Sequence, residues 1–184
     1  EDVFVHDLRT GRTILISRNR DPLLPGAVGN LASPPSESIA KSAYAISDNG
    51  RFIVFTSLAT NLLDPADGIA DTNSTQDVFW FDRDADADGI FDESHAGATR
   101  TLLVSINADG TAATDAPFTT GGSSAVSISG NGQYVLFSSP GRNLIEGGTE
   151  GTAVYMKDMF AQSTSLVGLT GIPGAVLASV SESG

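Results

Sequence analysis

The sequence predicts an all-β fold made of β-propeller blades, each of four antiparallel strands. Three observations predict it: no segment sustains helical periodicity, short apolar runs alternate with period two, and one hairpin-rich unit recurs along the chain. The longest match pairs AISDNGRFIVFTSLATNLL (Ala45 to Leu63) with SISGNGQYVLFSSPGRNLI (Ser127 to Ile145), setting Gly50 on Gly132, Phe55 on Phe137 and Asn61 on Asn143. A second set aligns EDVFVHDLRTGRTILIS (Glu1 to Ser17), QDVFWFDRD…TRTLLVS (Gln76 to Ser105) and TAVYMKDMFAQSTSLVGL (Thr152 to Leu169). Each member of that set is an alternating strand ending near an Asp, a turn or insertion, and a second apolar strand.

Taken in order, Glu1 to Ser17 supplies the third and fourth strands of a blade. The next unit, residues 43–105, reads as strands Tyr44 to Ser47, Phe52 to Ser57, Asp77 to Asp82 and Thr101 to Ser105, with an acidic insertion at 82–95. FIVF is short, β-branched and aromatic, and lies between Asn-Gly and Ser/Thr, as a strand should. Residues 124–169 repeat the pattern as Ala125 to Ser129, Tyr134 to Ser138, Ala153 to Asp158 and Ser165 to Leu169. Asn49-Gly50 and Asn131-Gly132 are expected to supply the positive φ of tight two-residue hairpin turns. Residues 175–184 read as the first strand of a further blade, because ASVSESG stops at the turn that Gly132 occupies in the preceding unit. Two whole and two partial blades are too few to close a propeller of at least four. The expectation is a fragment of a larger propeller, or a subunit that completes its blades against other chains. Its open strand edges would then be covered by that remainder or by a neighbour.

The repeated S-x-N-G turns and D-V-F-V-x-D strands, here ISDNGRFIVFTS, ISGNGQYVLFSS, EDVFVHDLRTGRT and DTNSTQDVFWFDRD, resemble the bacterial WD40-like, TolB-like (PD40-type) β-propeller repeat family. The resemblance covers nearly the whole chain. It implies an extracytoplasmic scaffold or protein-binding module, in some members attached to a peptidase domain. The last blade departs from the pattern, with GGTEGT where the central one has DTNSTQ.

Composition narrows function. The 184 residues and a hydrophobic fraction of 40% suit one globular unit. Ten Lys and Arg against 22 Asp and Glu give a net charge of −12, which disfavours nucleic acid and anionic membranes and suits divalent cations. There is no cysteine, so neither disulfides nor thiolate metal sites arise. No apolar run approaches a membrane span, and no secretory h-region opens the chain. It opens at Glu1 inside a strand, as a processed or excised polypeptide would.

The stretch DRDADADGIFDE (Asp82 to Glu93) concentrates six acids in twelve residues. Asp84, Asp86 and Asp88 alternate, Gly89 permits a sharp bend, and Asp92 and Glu93 follow. Hard oxygen donors suit Ca²⁺, and the ion would make the crowding tolerable. The pattern is similar to the calcium loops of EF-hands, dockerins and thrombospondin type 3 repeats. That resemblance implies Asp84, Asp86, Asp88 and Asp92 as side-chain ligands and Ile90 as a carbonyl ligand. The twelfth position is His95 instead of Glu, so Glu93 or Asp92 would close the site. The alternative is a solvated acidic hairpin tip, which three alternating Asp ending in Asp-Gly disfavour.

A second acidic loop, DPADGIADTNSTQD, carries Asp64, Asp67, Asp71 and Asp77. Its spacing matches no metal loop, and it reads as a polar connection with Asx turns. Asn73-Ser74-Thr75 is a formal N-glycosylation sequon. No catalytic machinery is expected. There is no nucleophile elbow, GGTEG lacks the Lys and helix of a phosphate loop, and His6 and His95 read as surface or partly packed residues. Within FWF, alternation sends Phe79 and Phe81 to one face and Trp80 to the other. Packing between blades accounts for the run, with Trp80 as an alternative contact for sugar or protein.

The sequence thus predicts a non-enzymatic, extracytoplasmic, calcium-stabilised propeller scaffold for a protein partner. The alternatives are a carbohydrate- or small-ligand-binding propeller and an accessory domain of a hydrolase.

Overall fold

The computed structural model of the chain describes residues 2–20, 28–30, 44–111 and 122–169. Within these residues, β1 (Phe4–Asp7) pairs with β2 (Arg12–Leu15) as an antiparallel hairpin. The central sheet consists of β3 (Tyr44–Ile46), β4 (Phe52–Ser57), β5 (Asp77–Asp82) and β6 (Arg100–Leu103) in that order. The last sheet repeats the arrangement with β7 (Ser124–Ile128), β8 (Tyr134–Ser139), β9 (Ala153–Asp158) and β10 (Ser163–Leu169). All neighbours are antiparallel, and the two four-stranded meanders are blades, as the repeats predict. Residues 175–184, expected to begin a further blade, lie outside the described residues.

The registers follow from the repeat. Phe55 stands opposite Phe79 in the central sheet and Phe137 opposite Tyr155 in the last, each pair stacked with ring centroids 5.7 and 5.5 Å apart. The hairpin turns differ from expectation. Only the glycine takes positive φ, at 72° for Gly50 and 78° for Gly132, and four residues instead of two, 48–51 and 130–133, lie inside the backbone bonds from Ser47 to Phe52 and from Ser129 to Tyr134. The cause is Ser47, whose hydroxyl donates to Asn49 Oδ1 and accepts the Phe52 N–H at 2.9 Å. Ser129, Asn131 and Tyr134 reproduce the same bonds. Asn thus acts through its side chain while the Gly50 N–H closes a turn onto the Ser47 carbonyl.

Alternation builds two cores from one sheet. Ile53, Phe55, Phe79, Phe81 and Leu103 pack against Val3 and Ile16 of the first hairpin. Phe52, Val54, Val78 and Trp80 pack the other way, against Val135, Phe137 and Tyr155 of the last blade. Every residue of β4 and β5 is therefore buried, whereas β9 alternates between buried and half-buried. Burying each such aromatic or aliphatic side chain contributes about 1.5–3 kcal/mol. The seam between the two blades is tight. Phe52 stacks on Trp80 at 4.8 Å, and the Trp80 indole N–H donates to the Gly132 carbonyl. A Cβ at Gly132 would lie 1.9 Å from the Phe52 ring. Trp80 is thus a blade-to-blade packing residue, 5% exposed, and is not a surface contact.

Candidate metal centre

The long connection between β5 and β6 replaces turns that the other hairpins make in four residues, Leu8 to Gly11 and Met159 to Gln162. All three connections begin with the same device. Asp7, Asp82 and Asp158 end their strands and each accepts the backbone N–H two residues on, from Arg9, Asp84 and Phe160. After Asp84 the central connection departs. Ala87, Gly89 and Asp92 all take positive φ, which curls the chain so that the Ala87 N–H returns to the Asp84 carbonyl. The Asp92 N–H bonds the Arg83 carbonyl at 2.8 Å and the Ala85 N–H bonds the Ala98 carbonyl, tying the curl to the sheet.

Two groups of side chains within this loop could hold a metal ion, each with ligand atoms mutually within 4.8 Å: Asp84, Asp86 and Asp88, and Asp86, Glu93 and His95. Asp84 is buried at the base and the other two Asp residues are exposed. Asp84 Oδ1 accepts the Gly89 N–H at 3.3 Å and Asp88 Oδ1 accepts the Ile90 N–H at 2.8 Å. His95 Nε2 lies 3.3 Å from Asp86 and 3.4 Å from Glu93. The His95 pKa is raised by its bond to the Ala96 carbonyl and then by Glu93 and Asp86.

Asp92 stands apart from the triplet. It forms a buried ion pair with Arg83, whose guanidinium also donates to the Gly50 carbonyl and lies over Phe91. Ile90, the expected carbonyl ligand, has an exposed side chain, and Ile90 to Asp92 face Asp7, Arg9 and Arg12 across a cleft of about 390 Å³. Part of the crowding is therefore relieved by arginine. Arg51 binds Asp82 with two bonds of 2.7 and 2.8 Å and sits 3.6 Å from Asp84. Its own pKa is raised, chiefly by the Asp82 bond. Sequence reasoning missed Arg51 and Arg83. The signal was the repeat, since pairing Phe52 with Asp82 places Arg51 beside the start of the insertion.

The 64–77 connection is built differently. Asp64 caps the 3-10 turn Pro65–Asp67 by accepting the Ala66 N–H, the expected Asx turn, and Asp67 pairs with Arg100 at 3.0 Å. Asp71 and Asp77 are instead buried, 7% and 0% exposed. Burial pushes Asp71 up to about 6, partly offset by the nearby Asn73 N–H. It pushes Asp77 up to about 7 despite a bond from the Ser105 hydroxyl, and the Asp71 charge adds to the rise.

No family model matches the chain, and no curated protein matches it. Among solved structures, TolB from Acinetobacter baumannii is similar over 92% of this chain, at 15% identity and a TM-score of 0.43. The chain spans 27% of that TolB chain. The blade architecture rests on the sheets described above and not on this likeness.

His6 is exposed and its Nδ1 meets the Thr13 hydroxyl at 2.8 Å, while His95 belongs to the acidic loop. Among the described residues no helix is long and apolar enough to cross a membrane.

Proposed function

We propose that this chain is a segment of an extracytoplasmic, non-enzymatic β-propeller scaffold, stabilised by Ca²⁺ in the 82–95 loop and engaging a protein partner. The observation that carries the metal reading is the convergence of Asp84, Asp86 and Asp88 on one point, where the nearby groups of opposite charge are Arg51, 3.6 Å from Asp84, and the His95 ring, 3.3 Å from Asp86. The donors are all carboxylate oxygens, which fits a hard cation. In this reading Asp84, Asp86 and Asp88 supply side-chain ligands, Ile90 its carbonyl, and Glu93 closes the shell while Asp92 holds Arg83. Bound calcium would order the loop against the β1–β2 turn, and such a site gains from the abundant calcium outside cells. The partner-binding role draws on exposed apolar side chains at strand edges and turns: Phe4, Leu8, Tyr44, Ile46, Phe160 and Val167, all at least half exposed.

Calorimetric titration with CaCl₂ tests the metal reading. The wild-type chain should give a binding heat that D86A/D88A removes in part or whole. Identical titrations of wild type and D86A/D88A would remove the loop site.

A further inference from the structure

We propose that Asp71 and Asp77 form a second, buried site for a hard divalent cation, separate from the 82–95 loop and independent of it. Three carboxylate oxygens, both of Asp71 and Oδ2 of Asp77, are sealed from solvent and have no close hydrogen-bond partner, the Asn73 backbone N–H and side chain being the donors that approach Asp71 and Asp77. None of the ion pairs among the described residues involves either side chain. Arg51, Arg83 and Arg100 are engaged by Asp82, Asp92 and Asp67. Two buried carboxylates without counter-charge persist either as neutral acids, towards which burial pushes both, or as carboxylates held by a bound cation.

The geometry fixes the pair for such a ligand. Asp77 opens β5 opposite Ser57, and its Oδ1 is anchored by the Ser105 hydroxyl at 2.6 Å. The same hydroxyl accepts the Val78 N–H at 3.0 Å, so the carboxylate is held and only Oδ2 is left to bind. Asn73 lies between the two acids, its backbone N–H beside Asp71 and its side chain beside Asp77. Oxygen donors carrying two negative charges match a divalent ion such as Ca²⁺ and disfavour softer metals.

The repeats supply an internal control. The first hairpin keeps the Asp–Ser clasp, with the Ser17 hydroxyl on Asp2 at 3.0 Å and the Val3 N–H on Ser17. The last blade has Gly147 where Asp71 stands and Ala153 where Asp77 stands, and β8 and β9 still pair in full register. A blade therefore forms without either acid. The two carboxylates are absent together there, as members of one site would be.

Calcium titrations of the full 184-residue chain in three forms separate this site from the loop site. D86A/D88A should still bind one equivalent of Ca²⁺ and show a rise in Tm on adding it. Adding D71N and D77N should abolish that equivalent and the Tm response. The proposal is overturned if D86A/D88A binds no Ca²⁺, or if its remaining equivalent survives D71N/D77N. Loss of the loop site alone would leave it standing. Should the double Asn variant not fold, D71N alone, at a loop position, must weaken the remaining equivalent at least tenfold, and unchanged affinity would overturn the proposal.

Discussion

In the 82–95 loop two arginines sit against Asp82 and Asp92 while Asp86 and Asp88 face solvent; in the 64–77 loop no arginine reaches Asp71 or Asp77, and both are buried. The denser acidic run is the better compensated one. Density along a sequence measures only how close charges are in the chain, whereas the cost of a charge depends on its loss of water and on what replaces it. Of the two stretches the sparser one therefore carries the larger electrostatic penalty, and it is the one whose spacing matches no motif.

The largest expected effect breaks the compensated side. Arg83→Ala strands Asp92, whose side chain is 5% exposed, and should cost about 3–5 kcal/mol in urea unfolding. A cost near zero would mean that the pair contributes nothing. Gly132→Ala calibrates that loss against a packing defect without charge. It forces positive φ on alanine and drives a methyl group into Phe52, for about 2–4 kcal/mol by the same assay. The uncompensated side should respond with opposite sign. In chelator at pH 8, above both raised carboxyl values, Asp71→Asn should stabilise the chain by about 1 kcal/mol, and added Ca²⁺ should reverse the ranking against wild type. The smallest effect lies in the short turn that corresponds to the long insertion. Hydrogen bonds from the Thr10 and Arg9 N–H groups hold the Asp7 pKa below its ordinary 3.8. The stability Asp7 contributes is present above that value and is lost as pH falls through the lower folded one. Asp7→Asn should flatten this acid limb in a pH series of Tm values and leave neutral pH almost unchanged.

The strands were legible because period-two alternation and the repeat are local, and FIVF and YVLF carry both signals at once. The fourth strands begin slightly earlier than expected, at Arg100 and Ser163, since ladder pairing with Asp82 and Asp158 extends into polar residues that alternation ignores. The turn type was misjudged because an Asn-Gly pair signals φ, and the competing Ser47 hydroxyl lies outside that dipeptide. Asp84, Asp86 and Asp88 offer carboxylate oxygens within 4.8 Å of one another. The assignment of Asp92 to Arg83 was not legible, because both side chains turn inward only once Gly50 and Phe91 are in place. Burial of Asp71 and Asp77 is a tertiary property, and the text of the loop contains no mark of it beyond its contrast with GGTEGT.

The lone tryptophan of the chain lies at the joint between two sheets, its indole N–H fastened to the backbone of the neighbouring turn. Its emission colour is consequently a built-in gauge of that joint. A red shift that precedes the loss of far-ultraviolet dichroism would report the sheets parting while each is still intact, and would time the separation of one from the other without any added dye.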